Sequence, residues 1–155
     1  MTDNSPNLFD LQPALYTVGY QGRTIEDLVA LLLRHGIKRL IDVRRDAWSR
    51  NPDYTGSRLR TAVETAGIEY LHLPQLGVPK EIRADASSAE TTRRVLDWYE
   101  NEYLPDMPDD VARLADIVKT SPAALMCYEA KPSDCHRGRL APLIARLAGL
   151  PLMHL

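Results

Sequence analysis

Residues 123–137 read AALMCYEAKPSDCHR and contain both cysteines of the chain, together with a glutamate, a histidine and an arginine. The apolar run Ala123–Met126 has the length and composition of a buried strand. Beyond residue 137, four apolar residues recur at helical spacing: Leu140, Leu143, Ile144 and Leu147. The polar segment Cys127–Arg137 is therefore predicted to be a loop between a buried strand and a helix. Such loops carry the ligand sites of α/β proteins.

The composition indicates a single domain with no strong electrostatic bias. The chain has 155 residues, and 19 Lys and Arg against 21 Asp and Glu leave a net charge of −2. A charge this small gives no general attraction to nucleic acid or to an anionic membrane. We expect a flexible polar tail over residues 1–13 and one domain over residues 14–155.

The compartment is predicted from the N-terminus and the cysteines. Met1–Pro6 has neither the basic nor the apolar region of a signal peptide. No apolar run approaches the roughly 20 residues that a membrane helix needs. Two cysteines do not make a disulfide framework. We therefore expect a cytoplasmic protein with both thiols free and no membrane partner.

Strand and helix patterns alternate along the chain. This alternation is typical of parallel strands joined by crossover helices that cover both faces of a sheet. The predicted fold is an α/β three-layer sandwich with a mostly parallel sheet of about five strands. The predicted strands are Ala14–Val18, Leu40–Val43, Ile68–Leu73, Ala123–Met126 and a short one within Leu150–Leu155.

Local signals predict where two of the helices begin. Thr24 with Asp27, and Ser87 with Glu90, have the spacing of capping boxes. The segment Gln75–Ala86 has no clear periodicity and is long for a connection. We expect it to form a lid or a binding loop.

Polar residues follow the predicted strands at one end only. In a parallel sheet the carboxyl ends of all strands lie at the same edge. This asymmetry predicts a functional site at that edge. The residues concerned are Gly19–Arg23, Asp42–Arg45, His72 and Cys127–Arg137.

Four ordered motifs in the chain resemble those of the bacterial family catalogued as domain of unknown function 488, or DUF488. The likeness covers about Leu15 to Leu147 and implies an α/β fold with its motifs on the loops at one edge. The motifs are Val18-Gly19-Tyr20, Ile41-Asp42-Val43-Arg44 with Ser49-Arg50, Tyr70–Gly77, and Cys127-Tyr128-Glu129 followed by Cys135-His136-Arg137.

The chain departs from the family pattern at three places. The family often has Gly-His-Ser where this chain has Gly19-Tyr20-Gln21, a proline at Ala47, and Leu-Gly-Gly at Leu76-Gly77-Val78. A histidine that acts as an acid or base in relatives would have no counterpart at Tyr20.

Cys135 is the predicted nucleophile. It is placed where the last helix is expected to begin, with Asp134 as its cap, so the helix dipole and Arg137 or Arg139 would lower the pKa of its thiol. The alternative is a small residue that fills a turn. Cys127, at the end of the buried strand, is expected to be a packed and inert thiol.

Two carboxylates complete the predicted catalytic set. Asp42 and Arg44 share a face of their strand, because side chains alternate with a period of two. A buried carboxylate needs a cationic partner, so a structural Asp42–Arg44 pair is one interpretation. In the other, Asp42 or Glu129 is a general base and Arg44 clamps a phosphate or carboxylate.

The remaining predicted site residues would hold an anion or a nucleotide: Arg44, His136, Arg137, Tyr20, His72, Ser49 and Arg50. Arg45, Arg58 and Arg60 extend this patch, and Trp48 and Tyr54 lie between them in sequence. Cations interleaved with aromatic side chains suit a nucleotide or a single strand. A solvated charged surface is the alternative, with Trp48 covering the core.

The same residues could instead form a metal site. Cys127, Glu129, Cys135, His136 and His72 include enough ligand types for zinc. Adjacent Cys135 and His136 lack the usual two-to-four-residue ligand spacing, so the sequence predicts neither a metal nor another cofactor.

We therefore expect a thiol- or carboxylate-dependent hydrolase or transferase that acts on an anionic, phosphate-bearing or nucleotide-like small molecule. Its reactive groups would be Cys135, Glu129 and Asp42. The alternative is a non-catalytic module that binds such a ligand, or less favourably nucleic acid, through the same arginines. A metal-binding protein is a further alternative.

Overall fold

The computed structural model describes residues 13–155, so the predicted tail, residues 1–13, lies outside the described residues except for Pro13. The described chain contains one sheet, whose strands are β1 (Leu15–Gly19), β2 (Arg39–Asp42), β3 (Glu69–His72), β4 (Ala123–Cys127) and β5 (Leu152–His154). Every neighbouring pair is parallel, in the order β3-β2-β4-β1-β5. The predicted α/β sheet of about five strands is confirmed.

Helices cover both faces of this sheet. They are α1 (Ile25–Arg34), α2 (Gly56–Thr65), α3 (Lys80–Arg83), α4 (Ala89–Trp98), α5 (Pro108–Val118) and α6 (Arg137–Ala148). Helices α1 and α2 bury their apolar sides on one face. Helices α4, α5 and α6 pack on the other. The three-layer sandwich is therefore confirmed, with one apolar cluster on each side of the sheet.

The layers open a crevice at the carboxyl edge. Strand β4 lies between β1 and β2. The helices that follow β1 and β2 pack on one face, whereas α6, which follows β4, packs on the other. Because the chain leaves neighbouring strands toward opposite faces, a gap forms between the loops, and such gaps bind ligands in open α/β sheets.

The first residues of α1 and α4 test the two predicted capping boxes. The Thr24 hydroxyl accepts a hydrogen bond from the Asp27 amide at 3.1 Å, as predicted. The second capping box lies one residue later than predicted and joins Ser88 to Thr91. In that box a threonine hydroxyl takes the place of the expected glutamate.

The last helix begins later than predicted. Asp134 belongs to a 3₁₀ turn, Pro132–Asp134, and Cys135 has an extended backbone with φ −134° and ψ 146°. The helix therefore begins at Arg137 with His136 in the cap position, and no side chain caps it. The prediction that Asp134 caps a helix beginning at Cys135 is wrong, because the turn that starts at Pro132 interposes an extended residue.

Within residues 13–155, no helix combines the length and the hydropathy required to cross a bilayer.

Three buried tyrosines make the fold sensitive to alkali. Tyr54 donates to the Arg23 carbonyl at 2.9 Å, and Tyr70 donates to the Asp42 carboxylate at 2.6 Å. Burial raises the pKa of both phenols above the usual value, and the neighbouring Asp42 charge adds to the shift at Tyr70. Burial also raises the pKa of Tyr99, whose hydroxyl donates to the Leu76 carbonyl at 2.6 Å. The folded state therefore holds three protons that the unfolded chain releases near pH 10.

We expect the free energy of unfolding to be unaffected by these groups below about pH 10 and to fall as the pH rises beyond it. Denaturant titrations between pH 8 and pH 12, read by tyrosinate absorbance and circular dichroism, measure this. The tyrosinate absorbance of the buried phenols should appear together with the loss of circular dichroism, because these phenols ionise only on unfolding. Ionisation of all tyrosines well before unfolding would contradict the expectation.

Candidate functional site

A buried ion pair lies at the end of β2. The Arg44 guanidinium donates to both oxygens of Asp42, from Nε at 2.9 Å and from Nη2 at 2.7 Å, and the Arg44 amide donates to Oδ1 at 3.1 Å. Both residues are buried. Burial alone would lower the pKa of the guanidinium, but the hydrogen bond and charge of Asp42, together with Tyr20, outweigh burial and raise that pKa. The pair is bidentate and charged, the strongest arrangement for these two groups.

Aromatic rings hold Arg44 on its other side. Its guanidinium carbon lies 5.3 Å from the centre of the Tyr20 ring, and its Nη1 donates to the Tyr20 hydroxyl at 3.3 Å. Tyr54 stacks on Tyr20 at 4.1 Å. Tyr20, the residue that departs from the family's Gly-His-Ser pattern, therefore positions the arginine.

Two histidines brace the chain that follows β2. His136 Nε2 lies 2.7 Å from the Val43 carbonyl, and His72 Nε2 lies 2.7 Å from the Arg44 carbonyl. A carbonyl only accepts, so each ring donates from Nε2. His136 thus links the Val43 carbonyl to the start of α6, and His72 links the Arg44 carbonyl to β3. In neutral His136, the Nδ1 atom keeps a free lone pair.

Arg137 and Gly19 hold the loop after β4. The fully buried Arg137 guanidinium donates to the carbonyls of Glu129 and Ala130, and its Nε has no hydrogen-bond partner. A Cβ atom on Gly19 would overlap the Glu129 carbonyl, so only glycine lets β1 approach this loop so closely. Gln21 accepts from the Ala130 amide at 3.1 Å. These contacts set the position of the Glu129 carboxyl.

Both thiols converge on the free nitrogen of His136. Nδ1 lies 3.6 Å from the Cys127 sulfur and 3.8 Å from the Cys135 sulfur. All three atoms lie within 4.8 Å of one another, and both cysteines are free. The Cys127 thiol also lies 3.4 Å from Glu129 Oε2. We call Cys127, Cys135 and His136 the thiol–imidazole cluster.

The electrostatics of the two thiols differ. Burial opposes ionisation of Cys135, but the Cys127 thiol, His136 and Arg137 together lower its pKa well below the usual value. The hydrogen bond to Cys135 and burial raise the pKa of Cys127. Burial, with the nearby Cys135, raises the pKa of the Glu129 carboxyl to about 7. A single negative charge in the cluster is therefore best placed on Cys135.

A pocket of about 1110 Å³ opens above these groups. This volume is slightly above the roughly 300–1,000 Å³ of typical small-molecule sites. Its wall contains six cations and two carboxylates. The cations are Arg23, Arg44, Arg45, Arg50, Lys80 and Arg83, the acids are Asp46 and Glu129, and the other side chains include Tyr20, Trp48, Ser49, Tyr54, Tyr128, Cys127 and His136.

The structure divides the predicted site residues into two groups. Six line the pocket: Tyr20, Arg44, Ser49, Arg50, Glu129 and His136. The other four lie behind the wall and hold it in place: Asp42, His72, Cys135 and Arg137. Of the two thiols, Cys127 reaches the pocket and Cys135 does not.

Several pocket residues had no predicted role. Arg23 and Gln21 belong to the polar stretch after β1, and Lys80 and Arg83 belong to the segment expected to be a lid or binding loop. Only this location in the sequence indicated that they could contribute to the site. Trp48 is 66% exposed and does not cover the core. Arg139 does not reach Cys135, because it pairs with Asp97 and Glu100 at the surface.

We expect Asp42→Ala to lower the free energy of unfolding by about 3–5 kcal/mol, because it leaves Arg44 buried without its charge partner. Asp46→Ala is the matched control. Asp46 is exposed and lies 3.4 Å from Arg83, so its loss should cost under about 1 kcal/mol. Chemical denaturation measures both. Unchanged midpoints in Asp42→Ala and Asp42→Asn would contradict a structural pair and favour Asp42 as a general base.

We expect Gly19→Ala to displace the Glu129 loop and to cost about 1–3 kcal/mol through overpacking. Gly67→Ala is the control, because Gly67 has a positive φ of 82° but open space around it. Both variants should lose stability. Only Gly19→Ala should speed alkylation of Cys127 in the reduced protein, measured by mass spectrometry. Equal labelling rates would show that the close approach does not shield the thiol.

The comparisons with known proteins agree with the motifs. The family model described as "Domain of unknown function DUF488" matches residues 24–144. Neither a curated protein nor a solved structure matches the chain. The matched segment runs from the start of α1 into α6 and includes three of the four ordered motifs, all but Val18-Gly19-Tyr20. The chain belongs to the DUF488 family.

Proposed function

We propose that the protein is an enzyme that acts on a small, phosphate-bearing or nucleotide-like molecule in the pocket at the carboxyl edge of the sheet. One observation carries the proposal. Six cationic side chains line the same pocket as a carboxyl, an imidazole and a thiol. A binding surface needs the cations alone, whereas bond cleavage or transfer also needs groups that move protons.

The cations are not equally available to a ligand. Arg44 is engaged with Asp42, and Arg83 lies 3.4 Å from Asp46. Arg50 and Lys80 are exposed and have no ion-pair partner among residues 13–155. Arg23 and Arg45 also have no ion-pair partner there, but they are less exposed and donate to the Gly19 carbonyl and the Tyr103 hydroxyl. We therefore assign Arg50 and Lys80 the first contact with phosphate oxygens.

Aromatic side chains in the pocket suit the remainder of a nucleotide. Tyr128 is 47% exposed and meets Tyr20 edge to face with ring centres 5.3 Å apart, and the exposed Trp48 lines the same pocket from the loop after β2. Exposed rings beside cations are the usual platform on which a base stacks. The pocket is also large enough for a mononucleotide.

Glu129 is the residue we assign to proton transfer. Its carboxyl is half-buried on the pocket wall, and Arg137 and Gly19 fix the backbone that carries it. Such a carboxyl can accept the proton of an attacking water or hydroxyl in a hydrolase or a transferase. Asp42 and Cys135, which lie behind the wall, serve in this proposal as positioning residues for Arg44 and His136.

Inorganic phosphate and a mononucleotide are the probes for the pocket. We expect Arg50→Ala and Lys80→Ala each to weaken binding about tenfold to a hundredfold, the loss expected for one charge-assisted hydrogen bond. Arg58→Ala is the control, because Arg58 is exposed, pairs with Asp53 and lies outside the pocket. Calorimetric titration measures the affinities. Equal loss in all three variants would contradict a specific site.

Glu129→Gln separates an enzyme from a binding module. With phosphate esters and nucleotides as substrates, this variant should lose most turnover and keep phosphate binding within a few-fold, because the amide cannot accept the proton. Absence of turnover in the parent protein, with phosphate binding intact, would favour the non-catalytic module that uses the same arginines.

A further inference from the structure

The thiol–imidazole cluster has the spacing of a metal site. A tetrahedral zinc with Zn–S bonds near 2.3 Å and Zn–N bonds near 2.0–2.1 Å separates sulfur from nitrogen by about 3.5–3.6 Å and two sulfurs by about 3.8 Å. His136 Nδ1 lies 3.6 Å and 3.8 Å from the two cysteine sulfurs. All three atoms lie within 4.8 Å of one another. The two sulfur–nitrogen distances are therefore close to those of such a tetrahedron, and the two sulfurs are near enough to share one ion.

The imidazole is oriented as a metal-binding ring would be. Its Nε2 donates to the Val43 carbonyl at 2.7 Å, which leaves Nδ1 as the atom with the free lone pair, aimed between the sulfurs. In metal-binding histidines, the N–H of the other ring nitrogen almost always donates a hydrogen bond to a carboxylate, a carbonyl or a water in this way. The Tyr99 and His136 rings pack in a T-shaped arrangement, with ring centres 5.4 Å apart, and this contact limits rotation of the imidazole.

The charge around the cluster is also suitable. Arg137 is fully buried, and no carboxylate of residues 13–155 lies within ion-pair distance of it. A buried cation without a counter-ion is costly. Deprotonated cysteines, the form that binds a metal, place negative charge beside this cation in the buried region.

A fourth position would face the pocket. Cys127 and His136 line the pocket wall, and the Glu129 carboxylate lies 3.4 Å from the Cys127 sulfur on the same wall. Sites with three protein ligands and one open position are typical of catalytic zinc, whereas structural zinc has four protein ligands.

We propose that Cys127, Cys135 and His136 bind a divalent transition metal, with zinc the best match, and leave one coordination position open to the pocket beside Glu129. Two thiolates and an imidazole favour zinc over the harder ions magnesium and calcium. The inference does not depend on the identity of the molecule in the pocket. It goes beyond the proposed function, because it assigns both thiols to metal binding.

The test uses the untagged, reduced full-length chain, stripped of metal with a chelator. We expect it to bind one equivalent of Zn²⁺ and one of Co²⁺, and the cobalt form to show the intense thiolate-to-metal absorption of cysteine ligation. Zn²⁺ should also raise the unfolding temperature, because a ligand that binds only the folded state stabilises it.

Two variants test the cysteine ligands, and a third is the control. Cys127→Ser and Cys135→Ser should each lower the zinc affinity at least about tenfold, the lower bound for loss of even an outer partner of a metal site. His35→Gln is the control, because His35 caps α1, far from the cluster in the fold. It should leave the zinc affinity unchanged.

Binding below one equivalent, or a cobalt spectrum without the thiolate band, would overturn the proposal. Equal zinc affinity in the cysteine variants and in the parent would overturn it as well. If the cysteine variants do not fold, the cobalt spectrum of the parent decides. Phosphate titration of Arg50→Ala and Lys80→Ala is a separate measurement, so failure of the metal site and failure of the anion pocket are distinguishable.

Discussion

The bidentate pair of Asp42 and Arg44 is the interaction on which the carboxyl edge depends. It places two charges in a region that excludes water, so every further hydrogen-bonding group near them must be satisfied within the protein. The Tyr70 hydroxyl donates a hydrogen bond to Asp42 Oδ2, and the Tyr20 hydroxyl accepts one from Arg44 Nη1. His72 then holds the Arg44 carbonyl. The pair therefore joins side chains of β2, of β3 and of the residues that follow β1 and β2 in one network.

Below the pocket, the supporting residues and the pocket-lining residues are different sets. Asp42, His72 and Arg137 make their hydrogen bonds to the protein itself, to the guanidinium of Arg44 or to backbone carbonyls. Arg50 and Lys80 have side chains free for a ligand. This division is physically reasonable, because a polar group that is saturated by internal bonds positions its neighbours well but has little capacity left to bind a substrate.

How far the sequence predicts this molecule differs from element to element. The strands and the Thr24 cap were predictable, because apolar runs and capping signals act over a few residues. The second capping box was placed one residue early, because Ser87 and Ser88 are adjacent and either can cap. The start of α6 was missed, since the turn at Pro132 depends on packing: a Cβ atom on Gly138 would overlap the Pro132 carbonyl.

The sequence by itself determined the sheet, its parallel pairing, the family and the edge at which polar residues gather, because these follow from local periodicity and from the order of elements. Only the tertiary structure decided which of those polar residues face the pocket. Cys127 and Cys135 are eight positions apart, and their shared contact with His136 arises because the 3₁₀ turn folds the loop back over β4. The burial of each side chain and the distances between these side chains depend on packing between the layers, which periodicity along one strand or helix does not encode.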